Sequence, residues 1–236
     1  MNRVRFIVLS VAFCIPSAAM AQLSYVSQSR TASASTNDNA GSFSATVSAP
    51  DFFPFDDTAA VSHKDSVDGI EKTSSASARQ VSVLTATGMS VTGQFTTFPI
   101  VRVGTGMADA EAVFDVTFDV ATPGIYPLSG SVAPLGAIGA LFPPLRTVKL
   151  DGPSVAINLE GPGAFSQNVS LSIGQYHLLV DVQSQFPASV FGGGSPVFEV
   201  GAFDVTLGTV PEPGWLMLSL FGSVGLCLRR IRCFRR

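Results

Sequence analysis

The chain is 236 residues long, with 46% hydrophobic residues, 13% charged residues, three cysteines, two histidines and a formal net charge of −3. That charge is unevenly placed: residues 22–209 hold seven Lys or Arg against sixteen Asp or Glu, a net −9, whereas the first 21 residues and the last 27 are both basic. An acidic body of this kind excludes nucleic acid and anionic surfaces as partners, and because Cys14, Cys227 and Cys233 all lie outside it, it has no disulfide and no thiol nucleophile.

Residues 1–21 read as a secretory signal peptide. Arg3 and Arg5 supply the charged start, Phe6–Ile15 the apolar stretch, and Pro16 breaks the helix ahead of Ala19-Met20-Ala21. Cleavage between Ala21 and Gln22 is expected. Ten apolar residues are too few to span a bilayer comfortably, and Phe13 stands before Cys14 where a lipidation signal requires a small residue.

From Gln22 the passenger begins with a stretch rich in Ser, Thr, Ala and Asn. Up to Ala49 only Phe43, Ala45 and Val47 alternate clearly, so a polar edge strand or a loose arm is expected there. Asp51–Phe55 sets three aromatics around Pro54, suited to packing over the end of a sandwich. Asp56, Asp57, Asp65, Asp68 and Glu71 follow within sixteen residues and read as a solvated acidic loop, since no EF-hand spacing is present to gather calcium ligands.

Further on, period-two alternation is strong. Phe114, Val116, Phe118 and Val120 oppose Asp115, Thr117 and Asp119, as in a half-buried strand. Val155, Ile157 and Leu159 form a second inward set, Val169, Leu171 and Ile173 a third, and Tyr176, Leu178, Val180 and Val182 a fourth. In the last run the phase changes between Ala202 and Phe203, which predicts a bulge near Gly201. Turn clusters such as Thr122-Pro123-Gly124, Asp151-Gly152-Pro153 and Gly161-Pro162-Gly163 separate the strands. Many short strands so punctuated predict an all-β, antiparallel, jelly-roll-like β-sandwich over residues 22–209. Gly-x-Tyr-x-Leu occurs twice, at Gly124–Leu128 and Gly174–Leu178. Each tyrosine is expected to place its ring in the core and its hydroxyl on a backbone partner.

Catalytic chemistry finds few residues to use. His63 and His177 are the two histidines; His63 reads as an exposed loop residue, and His177 and Asp181 stand four residues apart on one strand face, about 13 Å at the usual rise. No nucleophile elbow is present, and two scattered histidines do not make a zinc site. Paired carboxylates suffice for a glycosidase, but nothing distinguishes one pair among the sixteen acids. No cofactor and no metal is expected. Tyr25, Phe52, Phe53 and Phe55 are the aromatics available to a carbohydrate-binding module, because the single tryptophan, Trp215, lies beyond the passenger.

The last 27 residues are the most informative. Pro211, Glu212 and Pro213 precede an apolar run from Trp215 to Leu228, and Arg229, Arg230, Arg232, Arg235 and Arg236 follow it. As a helix the 14-residue run reaches about 21 Å, a short span that arginine snorkelling and local thinning can accommodate, with the basic end inside. Residues 210–236 resemble the PEP-CTERM sorting domain of exported Gram-negative envelope proteins. Gly214 stands where Ala or Ser is more usual, and Cys227 and Cys233 lie in or near the basic end. The resemblance implies processing by an exosortase, a membrane-embedded cysteine protease, after signal peptidase has acted at the other end. It also implies an exopolysaccharide-rich setting. The chain is therefore expected to cross the inner membrane, to be held transiently by its C-terminal transmembrane helix, and to reach the surface or medium as a noncatalytic matrix protein. A glycan-binding module is the alternative, and a glycan-active enzyme a more distant one.

Overall fold

The computed structural model describes residues 22–38, 41–67, 70–98, 105–137, 145–189 and 199–208. Their strands are β1 (Leu23–Asp38), β2 (Gly41–Ser48), β3 (Phe55–Val67), β4 (Ile70–Thr85), β5 (Gly88–Phe98), β6 (Thr105–Val120), β7 (Gly124–Ala137), β8 (Leu145–Gly152), β9 (Val155–Glu160), β10 (Gly163–Leu171), β11 (Gly174–Ser189) and β12 (Glu199–Gly208). They form two six-stranded antiparallel sheets, β2-β1-β6-β11-β8-β9 and β10-β7-β12-β5-β4-β3, so the fold is an all-β sandwich. The expected helices at either terminus lie outside the described residues.

β6 and β11 run side by side through the centre of the first sheet. Phe114, Val116, Phe118 and Val120 are buried on β6, and Tyr176, Leu178, Val180 and Val182 on β11, as alternation predicts. The core is graded along these strands. At one end it is built of small side chains, Ala32, Ala34, Ala108 and Ala110 facing Ala59, Ala76 and Ala78. Here polar groups also join the layers: the Thr97 and Ser184 hydroxyls lie 3.3 Å apart, and Gln80 donates to the Val113 carbonyl at 3.1 Å.

Large rings fill the rest of the core, beginning with Phe95 level with Ala78, and glycines make room for them. Gly201 pairs with Phe95 and Gly93 with Phe203 across β5 and β12, while Gly130 pairs with Phe165 across β7 and β10. A Cβ on any of these glycines would collide with the facing ring, and one on Gly152 would strike Tyr176. Each ring therefore lies over bare backbone of the neighbouring strand, which covers a glycine that would otherwise weaken the sheet.

The two Gly-x-Tyr-x-Leu segments behave alike. Tyr126 and Tyr176 are fully buried, with Leu128 and Leu178 beside them. The Tyr126 hydroxyl donates to the Thr122 carbonyl at 3.2 Å and Tyr176 to the Ser172 carbonyl at 3.1 Å, four residues back in both cases. Each tyrosine thus ties down the turn that introduces its own strand.

Several expectations are corrected. The Ser- and Ala-rich start is no loose arm: β1 lies inside the first sheet, between β2 and β6, and β2 forms the edge. Asp56, Asp57 and Asp65 belong to strand β3 and Glu71 to β4, a hairpin in place of the expected loop, because Ala59, Val61, Ala76 and Ala78 supply an inward face with little hydrophobic contrast. Asp68 lies outside the described residues. His63 is also on β3, its ring stacked 4.2 Å from Phe43, closing β3 against β2. β10 ends at Leu171 and Gly174, at φ 148°, begins the next strand, which leaves Ile173 exposed in the turn. The irregularity near Gly201 is real but falls on β7, where Leu135 is the extra residue between Pro134 and Gly136; β12 itself alternates without interruption.

The two open sides of the sandwich are closed by arginines. Arg30 is fully buried on β1; its guanidinium donates to the Asp51 and Phe53 carbonyls, to Gln28 Oε1 and to Ser82 Oγ, and lies 5.9 Å from the Phe55 ring centre. Arg146, buried on β8, donates to the Gly163 and Glu160 carbonyls at 2.8 and 3.3 Å and lies 5.0 Å from the Phe165 ring centre. Each guanidinium holds a crossover between sheets, β2 to β3 or β9 to β10, and neither forms an ion pair among the described residues. Replacing Arg30 by Met strands the two carbonyls, with an expected loss of about 2–4 kcal/mol. Urea unfolding measures that loss, and limited proteolysis should show faster cleavage within residues 49–54.

Candidate functional site

Of the residues singled out in the sequence for processing, Gln22 is described. It is exposed, and its carbonyl accepts a hydrogen bond from the Ala121 amide at 3.1 Å. Ala19, Ala21, Pro211, Glu212, Pro213, Arg229, Arg230, Arg232, Arg235 and Arg236 lie outside the described residues, as does the apolar run Trp215–Leu228. Among the described residues no helix is long and apolar enough to cross a membrane.

The four candidate glycan-facing aromatics gather at one end of the sandwich with unequal availability. Phe55 is buried beneath Arg30. Tyr25 is engaged: its hydroxyl donates to the Thr85 and Gly88 carbonyls at 2.7 and 2.8 Å and accepts from the Thr85 amide at 3.2 Å, tying β1 to the β4–β5 turn. Phe52 stacks on Tyr25 with ring centres 6.2 Å apart. Phe53 is the free ring, three-quarters exposed. Arg30 sets this arrangement by holding the carbonyls on either side of Phe52.

A second polar group lies on the outer face of the first sheet. His177 Nε2 and Asp115 Oδ1 are 2.7 Å apart, with both side chains about two-fifths exposed. The partner of His177 is not Asp181 on its own strand but lies diagonal to it on β6, where Thr117 pairs with His177 and Asp115 with Leu179. Further along β6, burial raises the carboxyl pKa of Asp109, against the Ser35 hydroxyl bond that lowers it and with the Glu111 charge adding to it. Burial and Glu111 likewise raise that of Asp181. Among the described residues no group of three or more His, Asp or Glu is arranged to hold a metal ion. The His177–Asp115 pair orients an imidazole, but no hydroxyl or thiol nucleophile is bonded to it among the described contacts.

Tyr25 gives this end of the fold a pH dependence. Burial pushes its pKa to about 12, against the lowering effect of the Thr85 backbone hydrogen bond. An unfolded tyrosine ionises near 10, so the stability Tyr25 contributes is complete below pH 10 and is lost as the pH rises to 12. Tyr25→Phe should cost about 1 kcal/mol at pH 7 and should flatten the decline between pH 10 and 12. Urea unfolding across that range measures both effects.

No family model matches the chain, and no curated protein matches it. Among solved structures, it is similar to the crystal structure of a GH31 alpha-xylosidase from Xanthomonas citri, at 7% identity over 81% of this chain. The chain spans about a third, 32%, of that enzyme's length, and the TM-score of 0.22 is too low to carry an argument about fold or activity.

Proposed function

We propose that the chain is an exported, noncatalytic surface or extracellular-matrix protein whose acidic sandwich is delivered by signal peptidase cleavage and released or retained through its C-terminal sorting signal. The observation that carries this reading is the fixed order of Pro211-Glu212-Pro213, an apolar run and five arginines, beginning three residues after the last strand ends at Gly208. Supporting it, β1 begins at Leu23, two residues after the expected cleavage at Ala21. The crossings between sheets are read as a jelly-roll-like path, a topology that hosts many unrelated functions.

In this reading Arg229–Arg236 stays on the cytoplasmic side, because carrying each arginine through the membrane centre costs about 2.5–3.5 kcal/mol. The proline-rich tripeptide then lies extended at the outer membrane face, where an exosortase meets it. Intact-mass analysis of envelope and medium fractions should find a mature form lacking the basic tail. Recovery from the inner membrane alone with Arg236 attached, unchanged by Pro211→Ala with Glu212→Ala, would show that the tail is only an anchor.

The alternative, a glycan-binding module, rests on Phe52 and Phe53 at the sandwich end. Incubation with the producer's exopolysaccharide is expected to give at most weak binding and no new reducing ends. Tight binding abolished by Phe53→Ala would favour the module, and reducing ends that persist through purification would favour an enzyme.

A further inference from the structure

Seven large hydrophobic side chains are exposed among the described residues, and five of them lie at one end of the sandwich. Val26, Phe52, Phe53, Ile125 and Ile173 are 50, 40, 75, 64 and 68% exposed. The register places them together. Leu23 and Gly174 both pair with Val120, which levels the start of β1, the end of β6 and the start of β11. Ile173 immediately precedes Gly174, and Ile125 follows the turn after Val120 and pairs with Ser170. Val26 is the extra residue where β1 slips against β6 between Tyr25 and Ser27, and Phe52 stacks on Tyr25. The other two, Phe43 and Met107, pair with Thr36 and Asn37 at the opposite end.

The chain leaves the fold at this same apolar end. Gly208, the last residue of β12, pairs with Gly88, whose carbonyl accepts from the Tyr25 hydroxyl beneath Phe52. Six residues, Thr209–Gly214, separate Gly208 from Trp215. Fully extended they reach about 20 Å. Single exposed apolar residues are ordinary, but their concentration on one rim marks a contact surface.

We infer that this rim is a membrane-contacting surface, seated on the lipid interface while the C-terminal run from Trp215 remains in the bilayer. The inference rests on the proposed membrane tail and adds an orientation to it. Phe and Ile side chains enter the boundary between headgroups and acyl chains favourably, and the short linker keeps the rim within reach of it. The passenger's net −9 makes uncharged lipid the suitable partner.

The test uses the full chain in vesicles of phosphatidylcholine and phosphatidylethanolamine, with a nitroxide on a single cysteine. Native Cys227 reports the tail when Cys14 and Cys233 are changed to Ser. With all three native cysteines changed to Ser, Phe53→Cys, Ile125→Cys and Ile173→Cys report the rim, and Phe43→Cys and Met107→Cys the far end. The readout is the ratio of collisions with lipid-soluble oxygen to those with a water-soluble nickel chelate. The ratio is expected to be high at Cys227 and several times higher at the rim positions than at the far end. A high ratio at Cys227 with rim and far end alike overturns the inference and leaves the tail reading standing. Rim labels shielded from both reagents mean that a second copy covers the surface, which also overturns it. A low ratio at Cys227 overturns the tail reading and the inference together.

Discussion

Two buried guanidiniums close the sides of this sandwich, and much of the remaining arrangement follows from the demands of those groups. A cation removed from water needs most of its donors satisfied. Arg30 obtains that from the Asp51 and Phe53 carbonyls together with Gln28 and Ser82, whereas Arg146 takes two carbonyls and keeps its Nε unpartnered, so the chain brings carbonyls inward as it passes from one sheet to the other. Burial lowers the pKa of both groups, in Arg30 partly offset by the Asp51 charge. The Phe55 and Phe165 rings beneath them provide a face that attracts a cation without a second buried charge. From the Arg30 clamp follows the path of residues 49–54, from that path the placing of Phe52 on Tyr25, and from Tyr25 the link between β1 and the β4–β5 turn.

The packing between the sheets shows a second constraint, that of thickness. Alanines, serines and threonines serve one end, and polar bonds such as Thr97 to Ser184 join the layers directly there. Elsewhere whole rings must fit, from Phe95 beside Ala78 onward, and the glycines at 93, 130, 152 and 201 give up their side chains to admit them. Among the described residues the buried core takes six leucines and no isoleucine, the remainder of its bulk coming from valines and rings.

This explains which parts were legible in the sequence. β6 and β11 were, because Phe, Val and Leu alternate with Asp, Thr and Gln there and the contrast in hydrophobicity is large. β1 and β4 were not, because Ala32 and Ala34 alternate with Ser33 and Ser35, and Ala76 and Ala78 with Ser75 and Ser77, so inward and outward positions differ by little more than a hydroxyl. Arg30 hid in the same stretch, as no local pattern marks an arginine whose acceptors lie some twenty residues on. The His177–Asp115 pair was missed for a related reason: it joins residues far apart in the chain, and the pairing of β6 with β11 was needed to find it. The Gly-x-Tyr-x-Leu segments were readable because the tyrosine's acceptor is local, four residues back.

The position of β1 carries a consequence for how the chain reaches this state. β3, β4 and β5 form a local meander, and β1 has β2 as an immediate neighbour, but its other partner is β6, with Leu23 opposite Val120. β6 in turn needs β11, whose first residue is Gly174. As the chain emerges from its N-terminus, whether from a ribosome or a translocation channel, the first strand must wait for most of the sequence before its sheet can close. Such non-local pairing slows folding and prolongs the exposure of unpaired strand edges. A stretch without cysteine from Gln22 to Thr209 suits that interval, since no mistaken disulfide can trap the waiting strand.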